Sequence, residues 1–119
     1  DKFVEVPEEV ARRPFSEGNR VPACQSEVFA FYRVIDEARL KFYFAVENPQ
    51  GISAKAMAAI LDETLSGVPC EEVIQVPSDM VFDIFGPDIG MGKGQGLRSM
   101  LFMIQAFAKQ HLNKSLPAN

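Results

Sequence analysis

The sequence predicts an α+β fold in which helices pack on one face of a small antiparallel sheet. Two strand-like segments come first, at residues 28–35 and 40–47, and segments with helical periodicity follow them toward the C-terminus. Strands followed by helices, without strand–helix–strand alternation, are typical of α+β domains rather than of parallel α/β sheets. The two strands should form a hairpin, to which a third strand could be added.

The strand predictions depend on composition and alternation. Residues 28–35 are rich in β-branched and aromatic side chains, which favour extended structure. Residues 40–47 alternate with a period of two, which predicts a half-buried strand. Its inward face should carry Leu40, Phe42, Phe44 and Val46, and its outward face Lys41, Tyr43, Ala45 and Glu47. The short polar segment 36–38 should join the two strands as an antiparallel hairpin.

The first helix should follow the hairpin closely. Ser53 or a neighbour is expected to cap it, and apolar residues recur at helical spacing until about Ser66. Gly67 stands where a left-handed C-terminal cap is expected. Pro69 should then open a short helical turn.

Two further helices complete the predicted fold. A short one should begin at Ser78 and end before the Gly-Pro pair at residues 86–87. The last helix is predicted over residues 97–111, where the broad apolar stripe must be buried. The glycine-rich stretch 90–96 before it predicts a flexible, tightly folded connection.

Length and composition indicate one globular domain over residues 1–119. Residues 1–18 are expected to be partly irregular, with one helical turn at residues 8–13. No run of residues approaches the 18 or more apolar positions of a membrane span. The net charge of −4 argues against nucleic-acid binding, which needs clustered Lys and Arg.

The glycine-rich stretch does not predict a nucleotide site. A phosphate-binding loop needs four residues between its first Gly and a Gly-Lys pair that is followed by Ser or Thr. Here Pro87 occupies the first Gly position and Gly94 follows Lys93. The spacing therefore argues against a phosphate-binding loop, and independently of it we predict no cofactor and no metal ligands.

The candidate reactive group is the thiol of Cys24. Pro22 restricts the backbone ahead of it, and the polar residues Gln25 and Ser26 follow it just before the first predicted strand. The ordinary interpretation of a free cysteine is a buried structural thiol, but these polar surroundings favour a thiol presented on a loop. Cys70, in a connecting turn, is predicted to be a packing or incidental residue, and no disulfide between the two is expected.

These motifs resemble those of the SufE-type cysteine desulfuration proteins. The segment 19–29 (NRVPACQSEVF) is similar to the family's active-site loop, with Ala23 where the family usually has Gly and Phe29 where it usually has Trp. The segment 92–97 (GKGQGL) is similar to the family's Ser-Arg-x-x-Gly-Leu turn, with Lys93 in the place of the arginine. Weaker similarity lies at residues 54–57 (AKAM) and 68–73 (VPCEEV). The family's helices ahead of the loop have no counterpart in the 23 residues before Cys24.

The resemblance implies that Cys24 accepts sulfane sulfur as a persulfide. The donor would be a pyridoxal-phosphate-dependent cysteine desulfurase of the SufS/CsdA type, which the chain would stimulate, and iron–sulfur scaffold proteins would act downstream. Gln25, Ser26 and Lys93 would support the thiol, and a positive charge on Lys93 would favour its thiolate. Thiol-to-persulfide transfer needs a positioned, partly deprotonated thiol and no obligatory second catalytic residue. Whether the chain is itself an enzyme is left open.

Several alternatives stay open on the sequence. A regulatory or scaffold module could dock a desulfurase or another partner without carrying sulfur, and a small-molecule thiol enzyme could use Cys24 with Lys93. A cysteine protease or acyltransferase is disfavoured, because His111 is expected at the end of the last predicted helix, too far from Cys24 to act as its base. A bacterial cytoplasm or a plastid or other organelle stroma is the expected location, and a homodimer also stays open.

Overall fold

The computed structural model describes residues 3–48 and 51–114. Helices and strands follow in the order β1 (Val28–Val34), β2 (Leu40–Val46), α1 (Ile52–Leu65), α2 (Cys70–Gln75), α3 (Met80–Phe85) and α4 (Met91–Lys114). A 3₁₀-helix at Glu17–Asn19 precedes them. The predicted α+β class is confirmed, with strands first and helices after them.

The predicted hairpin is confirmed in position and direction. β1 and β2 pair antiparallel with Val28 opposite Val46 and Val34 opposite Leu40. The turn between them is closed by the Ala38 amide, which donates to the Asp36 carboxylate at 2.9 Å. Within the described residues the sheet has two strands, so the third strand that we considered is not formed there. In its place the Val6 amide donates a single hydrogen bond of 2.9 Å to the Phe44 carbonyl.

Both faces of the hairpin are covered, one by helices and the other by the N-terminal segment. The helical side holds the larger core, where Leu40, Phe42 and Phe44 are almost fully buried with residues of α1 and α4. On the opposite side Ala45 is fully buried in a cluster that includes Val6, Phe29 and Phe31 and packs against Phe15. The predicted outward position of Ala45 is therefore wrong. The N-terminal segment, which precedes β1, covers that face, and alternation within β2 could not reveal this.

An ion-pair cluster joins the N-terminal segment to the end of β2. The Arg13 guanidinium lies 2.7 Å from a carboxylate oxygen of Glu5 and 2.7 Å from one of Glu47. The helical turn expected over residues 8–13 is a shorter turn at residues 8–10, followed by irregular chain. Apolar burial and these side-chain contacts, rather than regular secondary structure, hold this segment on the sheet.

Of the two caps predicted for α1, only the one at its C-terminus is confirmed. The N-cap is Gly51, a neighbour of Ser53 that has no side chain to cap the helix, so capping by Ser53 itself is wrong. At the other end Gly67 has the expected positive φ of 79°. Its amide donates to the Leu40 carbonyl at 2.9 Å, which attaches the end of α1 to β2. The predicted short helices that follow Pro69 and Ser78 are confirmed as α2 and α3.

The largest departure from prediction is the start of α4. The glycine-rich stretch forms the first turns of this helix, which begins at Met91 rather than at residue 97. A Cβ atom on Gly94 would lie 3.3 Å from the Phe82 ring, and one on Gly96 would lie 3.1 Å from the Cys24 Cα atom. The glycines thus allow close packing, and burial outweighs their low intrinsic helix propensity of about 1 kcal/mol each. None of the helices within the described residues has the length and apolar character needed to cross a membrane.

Candidate functional site

Cys24 lies on a short loop, residues 22–27, which we call the cysteine loop. Its base is closed by the Val21 amide, which donates to the Val28 carbonyl at 2.8 Å. The Glu47 amide donates to the Glu27 carbonyl at 2.9 Å and so attaches the loop to the end of β2. Val21 is almost fully buried. The loop therefore projects from a fixed base, as its position before the first strand predicted.

Ala23 has a left-handed backbone conformation, with φ of 62°. It is the only non-glycine residue with positive φ within the described parts of the chain. For an L-residue with a Cβ atom this conformation costs about 1 kcal/mol or more, whereas glycine adopts it readily. The loop thus holds backbone strain one residue before the thiol.

The Cys24 thiol is half-buried against the glycine-rich start of α4. Its Sγ atom donates a hydrogen bond to the Gly96 carbonyl at 3.3 Å. Burial raises the pKa of Cys24 to about 11. Burial thus disfavours, in the free chain, the thiolate form that transfer to a persulfide needs.

The second cysteine has a different environment. Cys70 is buried in the main core at the start of α2, as predicted for a packing residue. Burial and the nearby Asp36 carboxylate raise its pKa, in that order of importance. Both cysteines are free thiols, and no disulfide joins them.

A cleft of about 200 Å³ opens beside Cys24. It brings together all the site residues that the sequence singled out, which are Cys24, Gln25, Ser26 and Lys93. The first turn of α1, residues 51–54, forms another wall, and Gly96 and Leu97 of α4 complete the lining. Sequence reasoning missed these last residues, because only the fold brings the start of α1 next to the start of α4.

The sequence analysis placed Lys93 near the Cys24 thiol and His111 far from it. Lys93 is exposed and lines the cleft, and no carboxylate of the described residues lies within ion-pair distance of it. Burial alone accounts for the raised pKa of Cys24, so a thiolate-favouring role of Lys93 stays a prediction. His111 does not line the cleft; its Nε2 atom lies 2.8 Å from the Asp36 carbonyl at the hairpin turn.

Comparison with known proteins identifies the family. The family model described as "SufE: Fe-S metabolism associated domain" matches residues 2–108. The chain belongs to the SufE family. The solution structure of a hypothetical protein from Thermus thermophilus is similar, with a TM-score of 0.70 and 27% sequence identity, over 94% of this chain and 77% of that one. A comparison with curated proteins gave no match.

The fold gives a physical reason for one feature of the SufE loop pattern. The residue before the cysteine is usually glycine in that pattern, and in this chain the position has the positive φ that glycine favours. This chain keeps the conformation with alanine, so its cysteine loop carries strain that glycine would remove.

Alkylation of Cys24 should depend steeply on pH. Because the thiolate is the nucleophile and burial raises the pKa to about 11, the rate with iodoacetamide should be low at pH 7. It should rise about tenfold per pH unit up to pH 10, as the thiolate fraction does. Peptide mass spectrometry can follow Cys24 separately from Cys70. A plateau below pH 9 would contradict the burial that we describe.

Two glycine-to-alanine changes on α4 should have opposite effects. A Cβ atom on Gly92 would meet only the end of the flexible Gln25 side chain at 3.1 Å, so G92A should stabilise the helix by up to ~1 kcal/mol. A Cβ atom on Gly96 would lie 3.1 Å from the Ala23 carbonyl oxygen and 3.3 Å from the Cys24 Sγ atom. G96A should therefore displace the cysteine loop and raise the alkylation rate of Cys24 severalfold. Equal rates in the two variants would show that the loop does not depend on this contact.

Proposed function

We propose that this SufE-family chain is a sulfur acceptor and carrier whose Cys24 receives a persulfide from a cysteine desulfurase and feeds iron–sulfur cluster assembly. The observation that supports the proposal best is the position of Cys24, on a loop and lining an open cleft rather than sealed in the core. The family description, which associates the domain with Fe–S metabolism, supports the same function. The location we propose is a reducing compartment, either a bacterial cytoplasm or a plastid or other organelle stroma.

The transfer step is a thiol–persulfide exchange. The Cys24 thiolate attacks the outer sulfur of a persulfide on the desulfurase, and a new S–S bond forms at Cys24 Sγ. The original S–S bond breaks and its electron pair leaves with the desulfurase cysteine as a thiolate. The sulfane sulfur changes carrier without a net oxidation or reduction, so the chain needs no cofactor of its own for this step.

The burial of Cys24 determines when the step can occur. In the free chain the thiol donates to the Gly96 carbonyl, and its pKa is about 11. Docking of the desulfurase should move the thiol away from Gly96 and restore an ordinary pKa, because desolvation is what raises it. The strain at Ala23 lowers the energetic cost of such a movement. A thiol that stays protonated until a partner binds reacts slowly with other electrophiles in the meantime.

The runner-up is a regulatory or scaffold module that docks a desulfurase without carrying sulfur. The protonated state of Cys24 in the free chain favours this alternative. One experiment distinguishes the two functions. The chain is incubated with a SufS/CsdA-type desulfurase and cysteine. For a carrier, peptide mass spectrometry should find reducible sulfur adducts on Cys24. For a scaffold, the desulfurase would be stimulated while the Cys24 peptide gains no sulfur.

A further inference from the structure

We propose that the cleft beside Cys24 binds a small anionic thiol, a compound carrying both a thiol and a carboxylate, and that Cys24 exchanges sulfane sulfur with it directly. The inference depends on the proposed function of Cys24 as a sulfur carrier and adds a substrate class to it. A low-molecular-mass thiol would then unload the carrier, or load it as its persulfide, without a second protein.

The charges that line the cleft favour an anion. Lys93 is the single charged side chain among the described residues of its lining, in a chain whose net charge is −4. The first turn of α1 also lines the cleft, and its N-cap residue, Gly51, has no side chain. The first-turn amide groups and the dipole of this helix of 14 residues add partial positive charge at that wall. A carboxylate between Lys93 and this turn would therefore meet positive potential from two elements.

Uncommitted polar side chains are also present in the cleft. No hydrogen bond within the described residues engages the side chains of Gln25, Ser26 or Ser53, and all of them line it. Hydroxyl and amide groups of this kind can donate to a carboxylate or accept from an amine. They provide orientation in addition to the charge of Lys93.

The size of the cleft limits what can bind. Its volume of about 200 Å³ is smaller than the roughly 300–1,000 Å³ typical of sites for drug-sized ligands. A compound with few non-hydrogen atoms fits within the lining, whereas much of a nucleotide or a pyridoxal phosphate would project beyond it. Because Cys24 lines the same cleft, the thiol of such a compound lies within reach of the sulfur on Cys24.

The exchange balances without an additional reagent. In unloading, the small thiolate attacks the outer sulfur of the Cys24 persulfide, and a bond forms between the two sulfur atoms. The bond between that outer sulfur and Cys24 Sγ breaks, and Cys24 leaves as a thiolate that takes up a proton. The products are a small persulfide and the free Cys24 thiol, and loading is the reverse of these steps.

The test uses the full chain loaded chemically with inorganic polysulfide, so that no desulfurase is involved. Unloading is followed by mass spectrometry with 3-mercaptopropionate, which carries a carboxylate, and with the neutral 2-mercaptoethanol. K93Q should lower the rate with 3-mercaptopropionate about three- to fivefold more than the rate with 2-mercaptoethanol, the size expected for one partly exposed charge pair, because any loss of thiolate stabilisation at Cys24 affects both thiols alike. K109Q, which removes an exposed charge elsewhere on α4, is the matched control and should change neither rate.

The outcomes are distinct. Equal effects of K93Q on the two thiols, or none, would overturn the proposal that the cleft selects an anion. A mixed disulfide on Cys24, formed with release of hydrosulfide, would overturn the exchange step. Because loading is chemical, either result leaves sulfur transfer from a desulfurase to be judged by its own experiment. Conversely, charge-selective unloading would contradict the proposed function, and not the anion site, if the desulfurase failed to load Cys24 when given less than one equivalent of cysteine, so that no free thiol was left to unload it.

Discussion

Replacement of Cys24 by serine should abolish sulfur loading from a cysteine desulfurase and remove the stimulation of that enzyme. Serine is similar in size and can still donate to the Gly96 carbonyl, so the cysteine loop should keep its conformation. Its hydroxyl, however, cannot take up a sulfane sulfur under these conditions. We expect no adduct on the loop peptide by mass spectrometry, and desulfurase turnover in an alanine-production assay equal to that without the chain.

The matched control is the other thiol of the chain. C70A removes a buried sulfur from the main core and should cost ~1 kcal/mol of stability. It should nevertheless leave loading at Cys24 and stimulation of the desulfurase unchanged, because Cys70 does not line the cleft. Full stimulation by C24S would contradict the carrier function and favour the scaffold alternative. Loss of stimulation in C70A with a normal folded spectrum would show that Cys70 takes part in the transfer.

The largest effect on stability is expected at Gln105, whose buried amide group caps the end of α2. The two hydrogens on its Nε2 atom are shared among the carbonyls of Val73 at 3.0 Å, Ile74 at 3.3 Å and Val76 at 2.9 Å. The last carbonyls of a helix have no partner within the helix, and a buried acceptor without a donor costs about 1–3 kcal/mol. Q105L should therefore lower the free energy of unfolding by about 3 kcal/mol.

Urea denaturation followed by circular dichroism measures this loss. Q110L, on an exposed position of the same helix, makes the same chemical change and should alter the free energy of unfolding by less than about 0.5 kcal/mol. A similar small change in both variants would mean that water replaces the amide of Gln105 at no cost. If the Q105L variant lost the folded state and the Q110L variant kept it, the result would agree with the capping role of Gln105.

Local sequence patterns predicted the hairpin because both of its signals act over short distances. Composition in β1 and the period of two in β2 each depend on the strand itself, and the polar turn at Asp36 closes over a few residues. Gly67 was also predictable, since a left-handed residue at the end of a helix favours glycine wherever the helix lies.

The same local reasoning failed where distant contacts determine conformation. Gly94 and Gly96 have low helix propensity, yet they are helical because close packing against Phe82 and the cysteine loop requires small residues. The burial of Ala45 depends on the N-terminal segment, which alternation in β2 cannot reveal. The pKa of Cys24 could not be predicted either, because the sequence does not show how much of the thiol is buried.

By itself the sequence determined the order of strands and helices, the loop position of Cys24 and the motifs that connect the chain with the SufE family. These properties depend on neighbouring residues, whose spacing is visible along the chain. Only the tertiary structure decided that Cys24, Lys93 and the first turn of α1 share one cleft, and that the thiol is protonated against Gly96. Such properties depend on burial and on contacts between residues as far as 72 positions apart, which exist only after the chain has folded.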